Sequence, residues 1–146
     1  MELENLLKKL FEKIIETYNL GISIISENEV VLFCDKYILS FLLHSAELEM
    51  VYIEKRENEE LYQYNIDSFI TYSISDEDRL RIKSFLINGS KLELELGLLA
   101  YTLEKKWGEL LLGGNRWIQE YENFMLYIPA RNVTRLKEKS YKGKCL

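Results

Sequence analysis

Histidine occurs once in this chain, at position 44, and it is the first place to look for proton-transfer chemistry. An imidazole titrates near neutral pH and suits general acid–base work. Read as an alternating strand, KYILSFLLHS puts His44 on the same face as Ser40. A lone histidine without a paired nucleophile more often fills a surface or a core. Zinc is poorly served as well, because one histidine and two distant cysteines fall short of a tetrahedral set. Asp76-Glu77-Asp78 lacks the spaced ligands and turn glycine of a calcium loop, so magnesium with a phosphate substrate is the metal use left open there. Gly113-Gly114 has no Lys-Ser/Thr after it, and no GxGxxG exists anywhere, so a phosphate cradle is not indicated. No cofactor or metal is expected, and no catalytic set assembles.

Carboxylates are the remaining chemical resource. Glu47 and Glu49 share a strand face, and Glu59 and Glu60 share a turn. Either pair has the residue types of a glycosidase, but 24 acids in 146 residues make such pairs common by chance. Their collective use is more informative. Glu47, Glu49, Glu54, Glu57, Glu59, Glu60 and Asp67 crowd one stretch, with Tyr52, Tyr62 and Tyr64 among them. If the strands pair as a meander, these residues form one charged rim. Tyrosines beside carboxylates offer hydrogen bonds, contact area and steering toward a basic protein. The competing reading is a wet sheet edge kept apart from others by charge.

The formal charge of −5 hides an asymmetry. Residues 131–146 carry six bases and one acid, a net of +5, and residues 1–130 carry thirteen bases and twenty-three acids, a net of −10. An acidic body repels nucleic acid and anionic membrane and favours a basic partner. The length fits one domain, taken as residues 1–130, with 131–146 as a basic tail that folds back or stays solvated, contact with nucleic acid being the third, less favoured alternative. No stretch approaches about 18 uninterrupted apolar residues, and MELENLLKKLFEKIIETY is acidic where a signal peptide wants bases. The expected place is the cytoplasm, without a membrane partner. Cys34, inside VVLFC, reads as a buried small hydrophobe and Cys145 as part of a frayed tail; no disulfide is expected between them. Asn88-Gly89-Ser90 and Asn132-Val133-Thr134 match the glycosylation pattern by coincidence.

The elements that would position these residues follow from periodicity. Leu3, Leu7, Leu10, Ile14 and Tyr18 form one helical stripe over residues 2–19, for packing on a sheet or, alternatively, for a homodimer. GISIIS and VVLFC read as a hairpin around Glu27-Asn28-Glu29. KYILSFLLHS, ELEMVYIEKR and LYQYNI continue an antiparallel meander of four or five strands with one face covered. Ser75 before three acids resembles a helix start, and an exposed acidic loop is the other reading. Ser90-Lys91-Leu92-Glu93 is a capping box opening a helix through Leu96, Leu99, Leu103, Trp107 and Leu110. Gly113 or Gly114 then closes a helix in the left-handed conformation, and Asn115 caps the next, which carries Trp117, Ile118 and Tyr121. Pro129 ends the ordered fold. The expected class is α+β: an N-terminal helix, the meander, and two or more C-terminal helices on one sheet face.

WGELLLGGNRWIQEY, after its leucine-rich helix, resembles the C-terminal part of small immunity proteins of bacterial polymorphic-toxin systems, in which a helix ends in a leucine-glycine turn before a tryptophan. Trp107, Leu111, Leu112, Gly113 and Trp117 carry the likeness, over about a quarter of the chain. Gly114 and Asn115 stand where those families usually place an acid. The resemblance implies a single cytoplasmic domain without catalysis that blocks a toxin, often a basic nuclease, by occupying its active site or an essential surface. Charge and resemblance agree on a protein-binding inhibitor. The alternative is a small-ligand domain or enzyme using His44 or carboxylates in a pocket between sheet and helices.

Overall fold

The computed structural model describes residues 1–86 and 89–146. Asn88, of the first glycosylation-like triplet, lies outside the described residues. The chain is α+β, built on a six-stranded antiparallel sheet whose strands follow one another in sequence order. β1 (Gly21–Ser26), β2 (Glu29–Phe33), β3 (Tyr37–His44), β4 (Glu47–Lys55) and β5 (Leu61–Asn65) are the expected meander. A sixth strand, β6 (Arg131–Asn132), comes from the segment read as a tail and pairs with Tyr62 and Gln63.

Alternation sorts the side chains. Val30, Leu32, Tyr37, Leu39, Phe41, Met50, Tyr52 and Tyr64 point to a first face and join the main core. That face is covered by α1 (Glu2–Leu10), α2 (Glu12–Thr17), α3 (Asp67–Tyr72), α5 (Lys91–Lys106), α6 (Gly108–Leu111) and α7 (Arg116–Glu122). α4 (Asp76–Phe85) packs outside, on α5. The stripe expected to mark one N-terminal helix is spread over two, divided at Phe11, whose ring meets Phe41 edge-on at 5.2 Å. Leu3, Leu7 and Ile14 are at most 1% exposed within the single chain. The stripe is therefore spent inside this molecule, against α5 and the sheet, and is not free to join two copies.

The second face is also covered, which corrects the expectation of a sheet wet on one side. Val31, Ile38, Val51, Ile53 and Leu61 pack under Val133, Tyr141 and Cys145, held by α8 (Thr134–Tyr141). Order thus continues well past Pro129. The reason is a set of specific bonds. Ser40 Oγ donates to Glu29 Oε2 at 2.6 Å, and the Tyr141 hydroxyl donates to the same oxygen, with Lys137 Nζ at 3.9 Å. Lys55 Nζ donates to the carbonyls of Cys34 and Cys145 at 2.7 Å each. Lys144 reaches the carbonyls of Ile24 and Ile25 at the bulge of β1. A carboxylate under cover costs several kcal/mol unless such partners meet it. Here they do, and they tie α8 down. Cys145 is accordingly buried, and burial pushes its thiol up to about 11. Cys34 is only half-buried, and both cysteines are free thiols.

The glycine pair is a helix joint with two separate requirements. Gly113 has φ +81° and closes α6: Gly114 N–H donates to Glu109 O and Gly113 N–H to Leu110 O, the Schellman pattern. Gly114 is needed for room, since a Cβ there would lie 2.8 Å from Cδ of Glu109. That carboxylate turns back over the joint and accepts the backbone N–H of Trp117 at 3.1 Å. The expected cap, Asn115, makes no side-chain bond to α7, because Glu109 already occupies the place. At Ser75 and Ser90 the expected hydroxyl caps are present, accepting from Asp78 and Glu93 N–H. The Glu93 carboxylate bonds Lys9.

Candidate functional site

The acids and tyrosines expected to form one rim fall into two groups. Within β4, Glu47 and Glu54 are seven residue steps apart, or about 23 Å of extended chain. Glu47 and Glu49 stand at its start, on the hairpin that follows His44; Glu54, Glu57, Glu59 and Glu60 cluster at its far end. Asp67, after β5 has run back, belongs with the first group and lines a cleft with Leu48 and Glu95. Glu47 pairs with Lys91 at 3.0 Å, and Glu54 with Arg56 at 2.7 Å. Tyr52 and Tyr64 are core residues: their rings pack edge-on around Trp117, and desolvation raises both phenols above the ordinary tyrosine value. Of the three tyrosines only Tyr62 is partly exposed, with the Arg56 guanidinium 3.4 Å above its ring. A turn of the chain separates what sequence spacing had placed together.

His44 is exposed at the β3–β4 hairpin, with Nε2 3.4 Å from Glu49 Oε2. Ser40 is fully buried and gives its proton to Glu29, so the two do not meet. The cleft between sheet and helices, about 310 Å³, holds Asp67 and Glu95 with Ser68, Thr71 and Arg79. Desolvation raises the Glu95 carboxyl, offset by Lys91. Asp78 is a linking group: it accepts from Lys105 at 2.8 Å and from Tyr101 at 3.2 Å, and the Lys105 bond first of all holds its carboxyl below the usual range.

The surface feature that stands out was missed in the sequence. After α7 the chain reads Phe124-Met125-Leu126-Tyr127-Ile128-Pro129, and most of it faces outward. Met125 is 85% exposed, Ile128 52% and Leu126 48%, and Tyr72 at the end of α3 adds a ring that is 65% exposed. The run is one patch with Tyr72, because the Phe124 ring lies 5.5 Å from Tyr72 and 5.6 Å from Phe69.

This run is anchored. The fully buried Tyr121 donates its hydroxyl to Ile128 O at 3.0 Å and accepts the Ile128 N–H at 3.3 Å. Its ring meets that of Tyr127 at 5.3 Å. Desolvation raises the Tyr121 phenol, with Asp67 among the smaller contributors, so the hydroxyl stays protonated and keeps both roles through neutral pH. Glu122 stands near Tyr64 and contributes similarly to that phenol, after burial. Apolar side chains are therefore held out from a fixed backbone. The sequence signal was available: an unbroken apolar stretch between Asn123 and Arg131, with Pro129 inside it and no helical or alternating period.

No protein-family model, curated protein or solved structure matches the chain. Among the described residues no helix is long and apolar enough to cross a membrane.

Proposed function

We propose that the chain is a non-catalytic, protein-binding inhibitor of the immunity type, which neutralises a basic, toxin-like partner in the cytoplasm. The observation that carries this reading is the anchored apolar run Met125–Ile128 with Tyr72. Large apolar side chains clustered on a surface are costly to leave in water, and such clusters commonly mark places where another protein packs. Met and Tyr are enriched in interface cores. A backbone fixed beforehand lowers the ordering cost of association.

The charge of the body supplies the partner's sign. Residues 1–130 carry a net −10. Opposite charge accelerates encounter and makes the on-rate fall with salt. Of the residues expected to bind, Asp67 lines the cleft with Leu48 and Glu95, and Glu57, Glu59 and Glu60 act at a distance as steering charges. Tyr52 and Tyr64 support the surface from inside the core.

The test compares the full chain with a Met125→Asp/Leu126→Asp variant. Each is used to capture proteins from the source cell, and a protein held by the first and lost by the second is then purified. The expected result is a basic protein whose harmful activity the full chain suppresses and the variant does not, with an on-rate that drops as salt rises. Equal capture by both proteins, or binding without suppression, refutes the reading.

A further inference from the structure

The C-terminal helix carries a row of exposed bases. Arg135, Lys139 and the C-cap residue Lys142 are exposed, and their spacings of four and three residues line them up along one side of α8 and its end. Seven residues of helix span about 10.5 Å. Arg131, exposed on β6, adds a fourth charge. Among the described residues none of these four lies in an ion pair, whereas Lys8, Lys9, Lys13, Arg56, Lys91, Lys105 and Lys137 all do. Glu138 is the one acid of the segment, and the nearby Glu60 carboxylate accepts from Asn132.

We infer that this row is a second binding surface, independent of the apolar run, for the phosphate backbone of a duplex nucleic acid. The bulk charge of the chain argued against such a partner, but the fold separates the charges. α8 lies on the second sheet face, and the acidic helices on the first lie roughly 10 Å or more away through the sheet. At physiological salt the screening length is about 8 Å. Nearer acids remain, since Glu59 and Glu138 line a cleft with Lys142, and Glu60 and Glu138 one with Arg135; the local field is set by these carboxylates together with the row, Lys55 and Arg56, rather than by the whole molecule.

The chemistry of the helix narrows the occupant. Its one aromatic, Tyr141, is buried under Glu29, so bases have nothing on α8 to stack upon, and the stacking contribution that holds single strands is missing. Its sheetward apolar side chains, Tyr141 and the N-cap Val133, are used up there, and the one outward apolar side chain, Leu136 at 66% exposure, is too little to make a face for a lipid surface. What remains is a packed helix with a line of cations on its outer side, suited to phosphates and indifferent to sequence.

The experiment measures anisotropy of a short labelled DNA duplex of mixed sequence with the full chain across a salt series. Four contacts predict a slope of log K against log salt of about −3.6. In an Arg135→Ala/Lys139→Ala/Lys142→Ala variant the slope should fall to about −1, with binding at low salt weakened at least tenfold. Lys139→Glu alone, at an exposed position, should weaken binding in the same direction and covers the case of a triple variant that melts early. Absence of saturable binding at low salt, a slope the variants leave unchanged, or preference for anionic lipid vesicles or an acidic peptide over the duplex would each overturn the proposal. Capture of the protein partner by the apolar run should be the same in these variants, so the two surfaces fail or succeed separately.

Discussion

Removing one oxygen tests whether the apolar run is held in place. In Tyr121→Phe the ring keeps its contacts with Trp117, Phe69 and Tyr127, and only the hydroxyl is lost. Two bonds to Ile128 go with it, one at 3.0 Å and a longer one at 3.3 Å. At about 0.5–1.5 kcal/mol each, the longer one at the low end, the loss is about 1–2 kcal/mol. For a chain of this size that lowers Tm by about 3–8 °C. The local effect is more diagnostic. The Ile128 amide should exchange with solvent roughly five- to thirty-fold faster, while amides in β3 and β4 change only as global stability does. Affinity for the protein partner should fall although no contacting side chain was altered, because the run must now be ordered on binding. An Ile128 amide that exchanges at the same rate in both proteins refutes the reasoning.

Three further outcomes follow from other parts of the structure. Leu7→Ala should cost about 2–5 kcal/mol in denaturant unfolding, with the mass by light scattering unchanged; a changed mass at unaltered stability would restore the N-terminal stripe as a seam between copies. Gly114→Ala should displace the Glu109 carboxylate from the Trp117 N–H and lose about 0.5–2 kcal/mol of capping. Adding Glu109→Ala should then cost little more, and additive losses in that cycle would show that the two positions do not act through each other. Asp78, whose folded carboxyl is held low chiefly by Lys105, contributes stability that is complete above its unfolded value of about 4 and disappears as pH falls through the lower folded value. Thermal melts from pH 6 to pH 2 should show less acid destabilisation in Asp78→Asn than in the unaltered chain, and parallel curves would count against the assignment.

The sequence showed its local geometry well and its long-range pairing badly. The helical stripe, the hairpins and the serine caps depend on neighbours a few residues apart, and periodicity reports those directly. The acidic rim failed because nearness in sequence was taken for nearness in space: the same antiparallel turns that make the meander put Glu47 and Glu57 at opposite ends of β4. The covered second face had a signal in the near-continuous apolar runs of β2, β3 and β4, which a strand wet on one side does not need. Glu29 meets Tyr141 across 112 residues, and Tyr37 meets the carbonyl of Leu111 across 74. No spacing rule announces such pairs. The apolar run after α7 obeys no period, so its spacing does not distinguish an exposed surface from the end of the fold.

Val133, Tyr141 and Cys145 leave the ribosome after every other part of the sheet's second face has been made. Until they arrive, Val31, Ile38, Val51 and Ile53 must wait in water, each on a strand that already has its hydrogen-bonded neighbours. A nascent or truncated chain stopped near residue 130 would thus hold a nearly finished sheet with one oily side bare, a species prone to clumping. Fusing a reporter or tag directly behind Cys145 would place bulk against the segment that seals that side, so labels belong at the other terminus.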